Sequence, residues 1–190
     1  MKIILGSTSL YKKKLFSRLS IPFIQIDPTI NEPDYPQLVD ESPKDFALRL
    51  AKLKAESLKK EHPNDLIIGA DQVLEFEGQV YGKPLNRKKN IEDLFRFSGK
   101  SHFLHTAVTS ISPHGDSSFV DTTQLTMRPL NRHQIEEYVD REQAFDCAGG
   151  YKVESLGISL FKEIKTNDFT AIEGLPLIKL NSYLIENLDC

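Results

Sequence analysis

Apolar positions along this chain switch between two spacings, and the switches mark out its elements. Apolar residues crowd Lys2–Leu5 and Pro22–Ile26, which predicts two short strands. Between them Ser9 can cap a helix over about Leu10–Leu19, with Leu15, Phe16 and Leu19 on its inner side. Residues 27–41 lack periodicity and are rich in Pro, Asp and Glu, so they predict an acidic loop. Ser42-Pro43 opens a strong helix to about Lys60, with Asp45 near its positive end and Phe46, Leu50, Leu53 and Leu58 near one face. Leu66-Ile67-Ile68 predicts a buried strand ending at Asp71, followed by a hairpin turn at Glu77-Gly78. A charged helix over Arg87–Phe97 stops at Ser98-Gly99.

The segments His102–Ser112 and Phe119–Arg128 alternate around Pro113-His114-Gly115-Asp116, the pattern of an antiparallel hairpin. Asn131 and Gln134 form a capping box for a helix to about Val139. A turn at Ala148-Gly149-Gly150 leads into a strand and then Gly157–Ile164, and a last helix follows Pro176. Helices and hairpins in this order predict an α/β fold with a mixed, partly antiparallel sheet rather than a doubly wound parallel one.

At 190 residues the chain can bury a full core, and one domain over 1–190 is expected. A net charge of −3 speaks against non-specific nucleic-acid binding, which depends on neutralising many phosphates. Cys147 and Cys190 are too few for a disulfide framework. The N-terminal apolar run Ile3–Leu5 is too short for a signal peptide or membrane span, so no membrane association and a cytoplasmic location are expected.

Candidate chemistry begins at Asp71. A carboxylate delivered by an apolar strand needs a partner, because burial penalises an isolated charge. One hairpin later, Gly82-Lys83-Pro84 holds a cation in a stiff loop. An acid and a lysine so arranged suit phosphate handling. Taken alone, these residues also fit a turn-forming Asp and an ordinary solvated loop.

The other reactive residue types point elsewhere. His102 and His105, three apart on a strand, face opposite sides and suit structural roles. Nothing near Cys147 in sequence activates its thiol, so it is expected to be inert. Lys12-Lys13-Lys14 suits a solvated helix face. Tyr11, early in a helix, suits packing as well as ligand contact.

The remaining motifs stand in a telling order. They are Gly6-Ser7-Thr8-Ser9-Leu10-Tyr11-Lys12-Lys13, Asn31-Glu32, Arg49-Leu50-Ala51 with Lys54-Ala55, Ala70-Asp71-Gln72-Val73 and Gly82-Lys83-Pro84. Beyond them come Ser98-Gly99 with His102, Thr106-Ala107-Val108, Ala148-Gly149-Gly150-Tyr151 with Glu154, and Gly174-Leu175-Pro176-Leu177. Together they resemble the Maf family of nucleoside triphosphate pyrophosphatases over essentially the whole chain.

The resemblance implies an ITPase-like fold of two lobes around a long mixed sheet with a central cleft, commonly in a homodimer. It also implies metal-dependent hydrolysis of a nucleoside triphosphate to the monophosphate and pyrophosphate, with Mg²⁺, Mn²⁺ or Co²⁺ as cofactor. Asp71 matches the catalytic acid of the family. Ser7, Lys12, Lys54 and Lys83 match phosphate-handling positions, and Glu32 with Asp71 matches the metal-handling pair. A triphosphate carries on the order of four negative charges, which these lysines can offset. Ser7 and the backbone N–H groups after Ser9 can donate to phosphate oxygens. Without substrate the lysines are expected to repel one another rather than pack.

One departure narrows the family. Its first motif usually has Ser-Pro-Arg-Arg where this chain has Ser9-Leu10-Tyr11-Lys12. An aromatic residue at position 11, Gln72 after the catalytic acid and Glu154 after the glycine turn resemble the 7-methyl-GTP pyrophosphatase branch. N7 methylation makes the purine cationic, so an aromatic face can stack on it and a carboxylate can accept from guanine's edge donors. Tyr11, Gln72 and Glu154 are therefore the expected specificity residues. The alternatives are a pyrophosphatase of the same family acting on UTP and dTTP, and a nucleotide-binding regulator of septum formation.

Overall fold

The computed structural model describes residues 1–188; Cys190 lies outside the described residues. Strand β1 (Ile3–Gly6) lies between β2 (Ile24–Ile26) and β3 (Leu66–Phe76), parallel to both, with Leu5 opposite Gln25 on one side and Ile68 on the other. Strand β4 (Gln79–Tyr81) returns antiparallel on β3 through the Glu77-Gly78 turn. Strands β5 (Ser101–Ser112) and β6 (Gly115–Met127) are joined by two residues, and β7 (Phe161–Lys165) runs antiparallel to β6. Among the described residues the sheet order is β2-β1-β3-β5-β6-β7, with β4 also on β3. The mixed α/β architecture expected from the pattern is the one observed.

The chain divides into two units, the first made of residues 1–72, 106–121 and those from 168 onward. Here α1 (Leu10–Phe16) is capped by Ser9, whose side chain accepts from the Lys12 N–H, and α2 (Pro43–Lys59) is capped by Ser42. A single α5 turn (Phe169–Ile172) precedes α6 (Leu177–Leu188). The sheet faces separate by strict alternation. Ile3, Leu5, Leu66, Ile68 and Ala70 pack with Leu15, Phe16, Leu177, Leu180 and Leu184. Ile4 and Ile67 pack instead with Ala55 and Leu58 of α2. Gly69 shares that second face, and a Cβ on it would stand 2.2 Å from the Ala51 carbonyl oxygen and 2.7 Å from the Ala55 nitrogen.

The second unit, residues 73–105 and 122–167, holds α3 (Arg87–Phe97) and α4 (Arg132–Glu142). Asn86 caps α3, and the expected box of Asn131 and Gln134 caps α4. Its core is aromatic: Phe97 packs edge-on against Phe76 at 5.0 Å and Tyr81 at 5.1 Å between ring centroids. Tyr151 does the same with Phe161 at 4.9 Å, and His102 joins both groups.

Three local expectations are corrected. Strand β3 does not end at Asp71 but runs five residues further to Phe76, because the apolar positions Val73, Leu74 and Phe76 continue the buried pattern. The first helix stops at Phe16 and tightens into a 3₁₀ turn over Ser17–Leu19, where Ser20 adopts a left-handed conformation. The segment after the glycine turn forms no strand before Phe161, only turns and a 3₁₀ stretch over Leu156–Leu160.

Candidate active site

Alternation along β3 decides what Asp71 meets. It lies on the same face as Ile67 and Gly69, toward α2, and α2 presents Lys54 there. Lys54 Nζ stands 2.5 Å from Asp71 Oδ1 and 2.7 Å from Glu32 Oε1. Glu32 opens a 3₁₀ turn, Glu32–Asp34, within the acidic loop. Lys54 and Asp71 are buried, at 8% and 6% exposure, whereas Glu32 is exposed.

Electrostatics follows from that burial. For Lys54 burial is the largest influence and works against the charge, but Asp71 and Glu32 outweigh it and raise the ammonium above its ordinary value. For Asp71 burial pushes the carboxyl above its usual range, against the pull of Lys54 and then Lys12, while Glu32 adds to the rise. Lys54 is thus a paired cation, not one repelled by its neighbours as expected.

Ser7 and Lys12 belong to the segment after β1. Ser7 is 6% exposed; its hydroxyl accepts from the Ser9 N–H at 3.2 Å, and its carbonyl accepts from Gln25 Nε2 at 2.6 Å. Lys12 is half-buried, acts on Asp71 through its charge, and runs beside Gly174: a Cβ there would lie 3.7–3.8 Å from Lys12 Cε, Cγ and Nζ. Tyr11 is 38% exposed. Ser7, Lys12, Glu32, Lys54 and Asp71 therefore all lie in the first unit, and three of them make one ion cluster.

Gln72 lies on the other face of β3. Its Nε2 donates to Thr106 Oγ1 at 3.0 Å and to the carbonyls of Ala171 and Ile172 at 2.8 and 3.1 Å. The sequence motifs contain Thr106, yet nothing local signals that it touches Gln72. Another such contact is the bidentate pair of Arg18 with Glu173, at 3.1 and 2.9 Å.

Lys83 and Glu154 are exposed residues of the second unit. The loop bearing Lys83 is held where the Gly149 N–H donates to the Gly82 carbonyl at 3.3 Å, and the Leu85 N–H to the Phe145 carbonyl at 3.0 Å. The histidines take structural roles there: His102 Nε2 bonds the Tyr151 hydroxyl at 2.8 Å, and His105 bridges Glu75 and Thr122. Burial and then Asp146 push the Cys147 thiol up to about 12, away from reactivity.

Glu32 and Asp71 offer hard oxygen ligands, and one cation, the Lys54 ammonium, already bonds to both. One or two carboxylates completed by phosphate oxygens is the usual Mg²⁺ set, so these residues fit a divalent ion that arrives with a phosphorylated substrate. No three His, Cys, Asp or Glu among the described residues gather into a metal cage. No helix among them is long and apolar enough to cross a membrane.

Known proteins resemble the chain over nearly its whole length. The chain is 42% identical over 185 residues, 97% of its length and 96% of the relative's, to a 7-methyl-GTP pyrophosphatase of Xanthomonas oryzae pv. oryzae. It is 40% identical over 190 residues, 99% and 97% of the two chains, to a protein of that name from Bdellovibrio bacteriovorus. A third, from Pseudomonas syringae pv. syringae, is 41% identical over 186 residues, 97% and 95% of the two chains. Among solved structures, the Staphylococcus aureus Ham1 protein superposes with a TM-score of 0.47 at 19% identity, over 68% of this chain and 73% of that one. The family model described as Maf-like protein matches residues 2–187, and with relatives so similar over nearly their whole length, the chain belongs to the Maf-like family.

Proposed function

We propose that this chain is a metal-dependent nucleoside triphosphate pyrophosphatase that hydrolyses 7-methyl-GTP to 7-methyl-GMP and pyrophosphate. The observation that carries the reading is the buried Asp71 bound to Lys54, which also holds Glu32. Asp71 orients the attacking water and accepts its proton as the oxygen adds to the α-phosphorus. The bond from that phosphorus to the bridging oxygen breaks, and pyrophosphate leaves. Lys54 and Lys12 offset charge on the non-bridging oxygens, and Ser7 donates to one of them. Lys83 is assigned to the same phosphate chemistry. Glu32 and Asp71 would hold a divalent ion, which would neutralise phosphate charge and polarise the phosphoryl group.

The base is assigned to Tyr11 and Glu154, in line with relatives named for 7-methyl-GTP. Gln72, the third specificity residue of the resemblance, is held by its bonds to Thr106, Ala171 and Ile172. We also propose a cytoplasmic homodimer acting as one domain.

The test is pyrophosphate release from 7-methyl-GTP, GTP, UTP and dTTP, each with Mg²⁺, Mn²⁺ or Co²⁺. The expected result is metal-dependent turnover with 7-methyl-GTP preferred. Equal turnover of UTP or dTTP would reassign the substrate class, and no turnover of any triphosphate would leave a binding protein.

A further inference from the structure

Gln25 is a polar residue on an apolar side of the sheet. It lies opposite Leu5 in the pairing of β2 with β1, and alternation puts it on the face of Leu5 and Phe23, which pack with Leu15 and Phe16. The next residue, Ile26, takes the other face and packs with Ile4. An amide on the apolar face needs partners, because burying a polar group without a hydrogen bond is costly. Gln25 has two. Its Nε2 donates to the Ser7 carbonyl at 2.6 Å and to the Ser9 carbonyl at 3.2 Å. An amide nitrogen carries two hydrogens and a carbonyl oxygen can only accept, so donors and acceptors match one for one. Rotating the amide by half a turn would set its oxygen against both carbonyls, which fixes its orientation.

What the amide holds is the segment that leads from β1 into α1. Strand β2 grips that segment through its backbone as well, where the Ile26 carbonyl accepts from the Ser7 N–H at 3.1 Å. Within the segment Ser7 Oγ accepts from the Ser9 N–H at 3.2 Å, and Ser9 Oγ from the Lys12 N–H at 3.3 Å. The Ser9 carbonyl also takes the Lys13 N–H at 3.1 Å. The bond from Ser9 orients the Ser7 hydroxyl, since an oxygen that accepts from the chain keeps its own proton to give. That bond needs Ser7 and Ser9 at one spacing, and Gln25 sets the spacing by holding the carbonyls of both residues on one nitrogen. None of the motifs that carry the family resemblance includes position 25.

We infer that Gln25 is a positioning residue of the phosphate-handling segment: it clamps Ser7 to Ser9 and acts on the substrate only through the Ser7 hydroxyl. The inference rests on the proposed phosphate role of Ser7.

The test is a double-mutant cycle on the full chain, reading binding of inorganic tripolyphosphate with Mg²⁺ by calorimetry. Gln25→Met keeps the length of the side chain and removes both donors. It is expected to weaken binding about three- to tenfold, and to have less than about a twofold further effect in a Ser7→Ala background. In turnover of 7-methyl-GTP, Gln25→Met should raise KM by the same factor with kcat within about twofold, the pattern of a lost contact made before and during the reaction. A merely structural role would instead lower the active fraction, and kcat would fall at unchanged KM. That pattern overturns the inference, as does a binding loss that persists in the Ser7→Ala background, or a Gln25→Met or Ser7→Ala protein that binds as wild type. Should Gln25→Met fail to fold, Gln25→Glu, which keeps the shape and turns donors into acceptors, carries the same cycle. A wild-type chain that binds tripolyphosphate but hydrolyses no nucleotide would overturn the proposed function, and the binding cycle would still decide the role of Gln25. A wild-type chain that does not bind tripolyphosphate overturns both.

Discussion

Asn90 Nδ2 donates to the Gly150 carbonyl oxygen at 3.0 Å, and a Cβ on Gly150 would stand 1.8 Å from that same nitrogen. The two residues fit only as a pair. Asn90 is fully buried on α3, and Gly150 has φ +72°, where a side chain is strained even in open space. Gly150→Ala should therefore cost at least about 2 kcal/mol, from strain and from displacing Asn90. Asn90→Ala should cost about 1–2 kcal/mol for the carbonyl it strands. Urea denaturation measures both, and a Gly150→Ala protein as stable as wild type would contradict the packing.

Removing Lys54 strands a buried carboxylate, so Lys54→Met should destabilise the protein by about 3–5 kcal/mol near neutral pH. Lys83→Ala, at an exposed loop position, should leave the melting temperature unchanged. Without Lys54, Asp71 loses the partner that opposes its burial, and its folded pKa rises further above the ordinary value. A carboxyl raised in the folded state costs stability as pH climbs above its unfolded value. The Lys54→Met deficit should therefore shrink from pH 8 to pH 5. Adding Asp71→Asn should restore part of the loss, while Asp71→Asn alone should keep the fold and lower turnover about 10²–10⁴-fold. Lys54→Met with wild-type stability at pH 8 would refute the buried pair.

Base selectivity gives a prediction independent of stability. A carboxylate suits guanine's N1–H and N2–H₂ donors, whereas uracil would turn two carbonyl oxygens toward it. Glu154→Gln should lower kcat/KM for 7-methyl-GTP about tenfold more than for UTP. Tyr11→Ala should act in the same direction through lost stacking on the cationic ring. Equal losses on both substrates would remove these residues from base recognition.

His102 makes the fold sensitive to acid. It is fully buried, and desolvation pushes its pKa from 6.5 down to about 4. Between those values the unfolded chain binds a proton that the folded chain refuses, so stability present above pH 6.5 is lost as pH falls toward 4. The loss reaches about 3 kcal/mol at most. His102→Phe cannot titrate, so its stability relative to wild type should improve by about 2–3 kcal/mol between pH 7.5 and 4.5. A difference that stays constant over that range would show that His102 does not titrate there.

The helix starts were legible because capping is local: Ser9, Ser42 and Asn131 each accept from an N–H three residues on. The extent of β3 was not, since Asp71-Gln72 interrupts the apolar run with polar residues whose partners lie far along the chain. Gln72 meets residues 99 and 100 positions away, and Asp71 meets Lys54 17 positions back. The α5 turn, four residues long, lacks the repeat that marks a helix and depends on Asp168 and Thr170. The acid itself was legible as a charge out of place, but its partner was expected to meet substrate, because pairing is a property of the folded chain.

The closeness of α2 to β3 at Gly69 gives the site its gauge. With hydrogen for a side chain at 69 and methyl groups at 51 and 55, helix and strand approach nearly backbone to backbone, and Lys54 and Asp71 sit beside that contact. Any larger side chain at 69 would act as a shim, widening the gap until ammonium and carboxylate parted and water entered between them. The charge separation in this centre is thus calibrated by atoms the sequence leaves out, two residues before the acid they serve.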